Sequence, residues 1–178
     1  MANYDYESKI VSIPDYPEPG VIFKDITPLV GDPEAFRALV DEISDHFRDA
    51  GITKVAGTEA RGFFVGGPVA YNLGVGFVPV RKPGKLPRAV YKQDYSLEYG
   101  TGTLEIHKDA LTSEDRVLVV DDLIATGGST VATAQLCEKT GASVAGFAFI
   151  MELAFLNPRQ VVEKNFPGID VLSLVKIN

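Results

Sequence analysis

The sequence predicts an α/β fold in which a mostly parallel sheet is covered by helices on both faces. Three observations carry this. Short apolar runs recur at Thr53–Ala56, Gly76–Val80, Val117–Val120 and Val144–Met151. Stretches that can hold a helix lie between them, giving the β-α-β alternation of a parallel sheet. The composition, 46% apolar and 23% charged, is that of a chain that buries a core. At 178 residues the chain is one domain, 1–178. In such folds ligands sit beyond the carboxyl ends of the strands, so chemistry is expected where strands end.

Taken in order, residues 1–32 are rich in Pro and Gly and form a hood outside the alternation. Asp32 then caps a helix with Pro33 in its first turn. Phe36, Leu39, Val40, Ile43 and Phe47 form its apolar stripe, and Gly51 ends it. The strand Thr53–Ala56 is followed by a helix over Phe63–Leu73, whose Gly66, Gly67 and Ala70 allow close packing. After the strand Gly76–Val80, the segment Arg81–His107 has β-type residues without helical periodicity and reads as a loop and hairpin forming a flexible flap. The strands Val117–Val120 and Val144–Met151 enclose a helix over Ser129–Lys139, closed by Gly141, and a short helix follows near Pro158–Lys164.

Composition also excludes function classes. Seventeen Lys and Arg against 24 Asp and Glu give a net charge of −7, which argues against general affinity for nucleic acid or an anionic membrane. No apolar run approaches the roughly 20 residues that span a bilayer, and the first twenty residues do not resemble a signal peptide, so a cytoplasmic location is expected. The single Cys137 forms no internal disulfide and reads as helix packing. With only His46 and His107 beside it, no structural zinc set is expected.

The most informative stretch is VLVVDDLIATGGST, from Val117 to Thr130: a buried strand, two carboxylates at its end, then a small Gly-rich turn entering a helix. Backbone N–H groups from about Ala125 to Thr130 converge at a helix N-terminus, where the macrodipole favours an anion, so they can cradle a phosphate monoester. Gly127 and Gly128 let the backbone approach the ligand, in space a side chain would occupy, and Thr126, Ser129 and Thr130 add hydroxyl donors. Ionised Asp121 and Asp122 only accept hydrogen bonds and would repel a phosphate. They suit vicinal ribose hydroxyls or a hydrated magnesium ion, which points to a ribose 5-phosphate. A plain βα turn capped by Asp and Thr is the alternative. No G-x-x-x-x-G-K-[ST] motif is present and no G-x-G-x-x-G follows a strand, which sets aside the P-loop and dinucleotide folds.

Arg81, Lys82, Lys85, Arg88 and Lys92 place five of the 17 basic residues in twelve positions, with no acid among them. Such a loop can hold a polyanion or be merely solvated. Arg61 lies just past a strand end, at the edge where ligands bind. Phe23 offers an aromatic face and Glu98, among Leu97 and Tyr99, a carboxylate beside apolar neighbours.

These residues carry a resemblance. DDLIATGGST after an apolar strand resembles the phosphoribosyl pyrophosphate signature of the type I phosphoribosyltransferases. PGVIFKDITPL (Pro19–Leu29), EARGFFVGGPVA (Glu59–Ala70), VRKPGKLP (Val80–Pro87) and YSLEYGTGTLEIHKDAL (Tyr95–Leu111) resemble, in order, the members acting on adenine. The resemblance covers nearly the whole chain. It implies the type I phosphoribosyltransferase fold and a glycosyl transfer of purine salvage, from adenine and phosphoribosyl pyrophosphate to AMP and pyrophosphate, with Mg2+ held by the substrate and Asp121 or Asp122 reaching it through water.

By the same resemblance, Asp121 and Asp122 position the ribose, and Ala125, Thr126, Gly127, Gly128, Ser129 and Thr130 hold the 5′-phosphate. Glu59, Ala60 and Arg61, in a loop whose peptide is often cis in the family, bind pyrophosphate together with Arg81, Lys82 and Lys85. Ile22, Phe23 and Lys24 form the base pocket, mostly through backbone groups. Glu98 manages the proton of the base, and Tyr99 is a flap residue beside the sugar. The family also implies a homodimer in which the Arg81 region reaches the neighbouring site. Transfer to another base, or a nucleic-acid-binding regulator on the same fold, are the rival readings, and the net charge of −7 argues against the second.

Overall fold

The computed structural model describes residues 4–96 and 100–178. A 3-10 turn at Glu7–Lys9 leads into an antiparallel hairpin, β1 (Val11–Pro14) and β2 (Ile22–Asp25), followed by a short helix α1 (Thr27–Gly31). Helix α2 runs Pro33–Phe47, and the Asp32 side chain accepts from the N–H groups of Glu34 and Ala35, the cap expected at that position. Then follow β3 (Lys54–Thr58), α3 (Arg61–Leu73), β4 (Gly76–Val80), the hairpin β5 (Val90–Ser96) and β6 (Thr101–His107), β7 (Arg116–Ile124) and α4 (Gly128–Lys139). β8 (Ser143–Leu153), α5 (Pro158–Asn165) and β9 (Asp170–Ile177) complete the chain.

The central sheet has five strands in the order β4-β3-β7-β8-β9, every pair parallel. Both faces are buried, and the period of two along each strand sorts side chains between two cores. Leu118, Val120, Ala148 and Ile150 meet Leu39, Ile43 and Phe47 of α2 and Val65 and Val69 of α3. Their neighbours Val117, Val119, Phe147 and Phe149 meet Val131, Ala134 and Leu136 of α4 and Val162 of α5. Cys137 lies wholly inside the second core, as packing, and burial pushes its thiol up to about 12.

Three differences from the sequence reading have physical causes. β7 and β8 extend past their apolar cores, because the parallel ladder continues through pairs that include polar residues, Arg116 with Ser143 and Ile124 with Glu152. Helix α2 stops at Phe47, and Gly51 instead provides a left-handed turn, φ 68°, before β3. The strand β9 was not expected. It is an edge strand, half-exposed for most of its length, so its DVLSLVKI run lacks the uniform apolarity of the inner strands. The expected hairpin in 81–107 is present, with Leu104 and Ile106 buried in the core beneath α4.

Candidate active site

β7 carries Asp121 and Asp122 to the carboxyl edge of the sheet, and the chain then turns through Ala125 and Thr126 into α4. Gly127, in the left-handed region at φ 86°, is the N-cap and has no side chain to cap the helix. The N–H groups of the first turn are therefore left for another acceptor. Glu59, Arg61, Asp121, Asp122, Ala125, Thr126, Gly127 and Ser129 converge on one cavity of about 230 Å³. Tyr95 and Leu123 join them. Gly128 lines an adjoining cleft of about 470 Å³ that shares Tyr95 and Thr126. Thr130 is buried in α4 and lines neither.

The glycines of the turn stand against neighbouring elements. A Cβ on Gly127 would lie 3.2 Å from the Pro158 carbonyl oxygen and 3.3 Å from the Val161 Cβ, so the residue permits a positive φ and close approach of α5. A Cβ on Gly128 would lie 2.9 Å from the Ser96 carbonyl oxygen, against β5. Each contact backs the turn with another element. Gly62 serves likewise: a Cβ there would stand 2.9 Å from Asp121 Oδ1, so its absence lets α3 start beside the carboxylates.

The two acids differ. Asp122 is buried, and Arg61 Nε stands 3.0 Å from its Oδ2, yet among the described residues that oxygen accepts no hydrogen bond, because the Arg61 N–H is not aimed at it. Asp121 accepts from the Asp122 N–H at 2.9 Å. Burial, and then the charge of Asp122, push the Asp121 carboxyl well above the ordinary range. Burial also raises Asp122, against the opposing pull of Arg61. An incompletely satisfied acid pair is a strong acceptor for hydroxyl donors or a hydrated cation.

Arg61 links this pair to the hood: its guanidinium carbon lies 5.5 Å from the centre of the Phe23 ring, whose edge meets Tyr16. Ile22 is exposed, and Lys24 Nζ donates to Ser12 Oγ at 2.7 Å, which occupies that side chain. The Glu59–Ala60 peptide is cis, and Ala60 is the N-cap of α3.

The basic loop is more compensated than its local sequence implies. Arg81 Nε donates to Glu59 Oε2 at 3.0 Å, Lys92 pairs with the buried Glu105 at 2.9 Å, and Arg88 pairs with Asp109. The acids come from other elements, which a window of twelve residues cannot show. Lys82 and Lys85 are exposed and have no described carboxylate within ion-pair distance. None of Arg81, Lys82 and Lys85 lines the cavity. Glu98 and Tyr99 lie outside the described residues.

Sequence reasoning missed Tyr95, Leu123 and Glu105. Glu105 accepts from the Gly84 N–H at 3.1 Å and exchanges two backbone hydrogen bonds with Arg81, so it fixes the basic loop to β6. The available signal was a single carboxylate flanked by Leu104 and Ile106.

Residues 31–178 match the family described as the phosphoribosyl transferase domain. The chain is 54% identical over 171 residues to the adenine phosphoribosyltransferase of Aeromonas salmonicida, covering 96% of this chain and 93% of that protein. The crystal structure of adenine phosphoribosyltransferase from Thermoanaerobacter pseudethanolicus superposes with a TM-score of 0.92 at 46% identity, covering 99% of this chain and 100% of that one. The Saccharomyces cerevisiae adenine phosphoribosyltransferase, solved with adenine and an imino-altritol bisphosphate, superposes with a TM-score of 0.88 at 37% identity, covering 97% of each chain.

Proposed function

The chain belongs to the phosphoribosyltransferase family, and from that premise we propose that it transfers the 5-phosphoribosyl group of phosphoribosyl pyrophosphate to adenine in purine salvage. AMP and pyrophosphate are the products. The observation that carries this reading is the juxtaposition of an uncapped helix start with an acid pair holding an unsatisfied buried oxygen.

The 5′-phosphate sits on the N–H groups of the Ala125–Thr130 turn, with the Thr126 and Ser129 hydroxyls as added donors. Asp121 and Asp122 accept from the ribose hydroxyls. The bond from C1′ to the pyrophosphate oxygen breaks as N9 of adenine bonds to C1′, through an oxocarbenium-like state. Arg61, the Glu59–Ala60 backbone and the basic loop of Arg81, Lys82 and Lys85 stabilise the charge on the departing pyrophosphate. The N9 proton leaves the base, and Glu98 is assigned to it, with Tyr99 beside the sugar.

The donor set fits a magnesium ion held mainly by substrate oxygens, with Asp121 or Asp122 reaching it through water. Bound there, the ion would neutralise pyrophosphate charge. For the base, among the described residues β2 is paired on one edge only, with β1, so its other edge has backbone groups available to a purine, and Phe23 supplies a ring face. The basic loop stands outside the cavity of its own chain, which supports a homodimer in which it reaches the partner's site. Among the described residues no helix is long and apolar enough to cross a membrane, and a cytoplasmic enzyme fits this reading.

The test is pyrophosphate release from phosphoribosyl pyrophosphate with adenine, hypoxanthine, guanine and xanthine in turn. Turnover with adenine alone is expected. No release with any base overturns the transferase assignment, and equal use of hypoxanthine overturns the base assignment.

A further inference from the structure

Arg159 opens α5 at a position where the helix dipole disfavours a cation, and no acid accompanies it in the first turn. Its side chain is committed elsewhere. Nε donates to both carboxylate oxygens of Glu152, at 3.0 and 2.9 Å, Nη1 to the Val171 carbonyl oxygen at 2.9 Å, and Nη2 to Ser173 Oγ at 3.4 Å. Glu152 is 3% exposed. Burial would push its carboxyl up, and Arg159, the Ser173 hydroxyl and the charge of Lys176 together outweigh that, holding it below the ordinary range. One guanidinium thus ties the start of α5 to the carboxyl end of β8 and to β9.

What α5 presents on its other side gives the clamp its meaning. The Pro158 carbonyl and the Val161 side chain are the atoms that stand against Gly127. Glu152 is paired in register with Ile124, the last residue of β7 before the Ala125–Thr130 turn. The clamp and the turn therefore share one rung of the sheet, and α5 is the wall between them.

We propose that Arg159 and Glu152 are positioning residues for the 5′-phosphate turn: the pair holds α5 against Gly127 and so keeps the turn's N–H groups in the geometry that binds phosphate. Neither residue lines the cavity. The inference rests on the reading of that turn as the phosphoribosyl pyrophosphate site.

The test compares wild type, Arg159→Met, Arg159→Lys and the double variant Glu152→Gln with Arg159→Met. KM for each substrate, kcat and Tm are measured. Removing one member of a buried pair leaves an uncompensated charge, so Arg159→Met should lose stability, and the double variant, with both charges gone, should recover much of it. KM for phosphoribosyl pyrophosphate should rise about tenfold or more in both, since small misplacements of binding groups cost up to about 100-fold, while KM for adenine stays within about twofold. Arg159→Lys, which cannot span all three acceptors, should fall between. If Arg159→Met does not fold, the double variant decides. An unchanged KM for phosphoribosyl pyrophosphate in the folded double variant, or equal shifts for both substrates, overturns the inference. Wild-type enzyme without phosphoribosyl pyrophosphate-dependent turnover would instead overturn the site reading on which it rests.

Discussion

Asp121 and Asp122 are adjacent in sequence but are held by different forces, and the difference sets what each substitution does. Asp122 has Arg61 beside it, whereas half-buried Asp121 is desolvated next to a like charge, so its proton is retained in the folded state above the pH at which the unfolded chain loses it. Between those two values the folded protein binds more protons than the unfolded one, so stability falls as pH rises. Asp121→Asn removes that loss and keeps an oxygen to accept from the Asp122 N–H. Its Tm without ligand should exceed that of wild type at pH 7. The gain should vanish below about pH 4, where both chains hold the proton. Turnover should fall about 100-fold or more, as when a preorganised polar group is removed from a reacting site. A variant as active as wild type, or one less stable at pH 7, contradicts the placement of the strain at Asp121.

The elements that bear the site are the Gly-started helix α4 and the basic loop between β4 and β5. In Gly127→Ala a residue with a Cβ is forced to φ 86° against the Pro158 carbonyl oxygen. The left-handed conformation alone costs about 1–2 kcal/mol, so thermal unfolding should begin several degrees earlier, with KM for phosphoribosyl pyrophosphate raised. An unaltered Tm would show that α5 does not press on the turn. In the basic loop, Lys82→Ala and Lys85→Ala should weaken inhibition by pyrophosphate with little change in Tm, because neither has a described partner. Arg81→Ala should also lower Tm, because it strips Glu59 of its partner. Equal pyrophosphate inhibition in both lysine variants and wild type would make the loop a solvated surface. The turn, its acids and the inner strands were legible in the sequence because their signal is local: an apolar run, two carboxylates and two glycines within fourteen residues. The pairing of Arg81 with Glu59 and of Lys92 with Glu105 was not, because each depends on which strands become neighbours, and that of Arg159 with Glu152 depends on how α5 folds back onto the end of β8.

At the scale of the whole molecule, the proposed function places the sugar and phosphate on the parallel sheet and the base on the hood before it, which is a separate two-stranded sheet. Arg61 joins them, reaching Asp122 on one side and Phe23 on the other. That hood was legible only as an interruption of the alternation, since a hairpin of two four-residue strands, neither of them with a buried residue, has no apolar periodicity to show. Its division of labour makes specificity separable from sugar binding. Adenine offers an exocyclic amine donor where hypoxanthine offers a carbonyl acceptor, so backbone groups set for one leave a buried group unpaired with the other. Sites that hydrogen-bond a substrate in this way reject the mismatched analogue by about 10⁴-fold, and with the hood's partial exposure a preference of about a thousandfold in kcat/KM is expected. Because the Lys24 ammonium is engaged by Ser12, Lys24→Ala should leave that ratio intact, whereas Phe23→Ala should raise KM for adenine and spare that for phosphoribosyl pyrophosphate. Steady-state kinetics with both bases decides the matter: a ratio that collapses in Lys24→Ala would move base recognition from the backbone of β2 to a side chain.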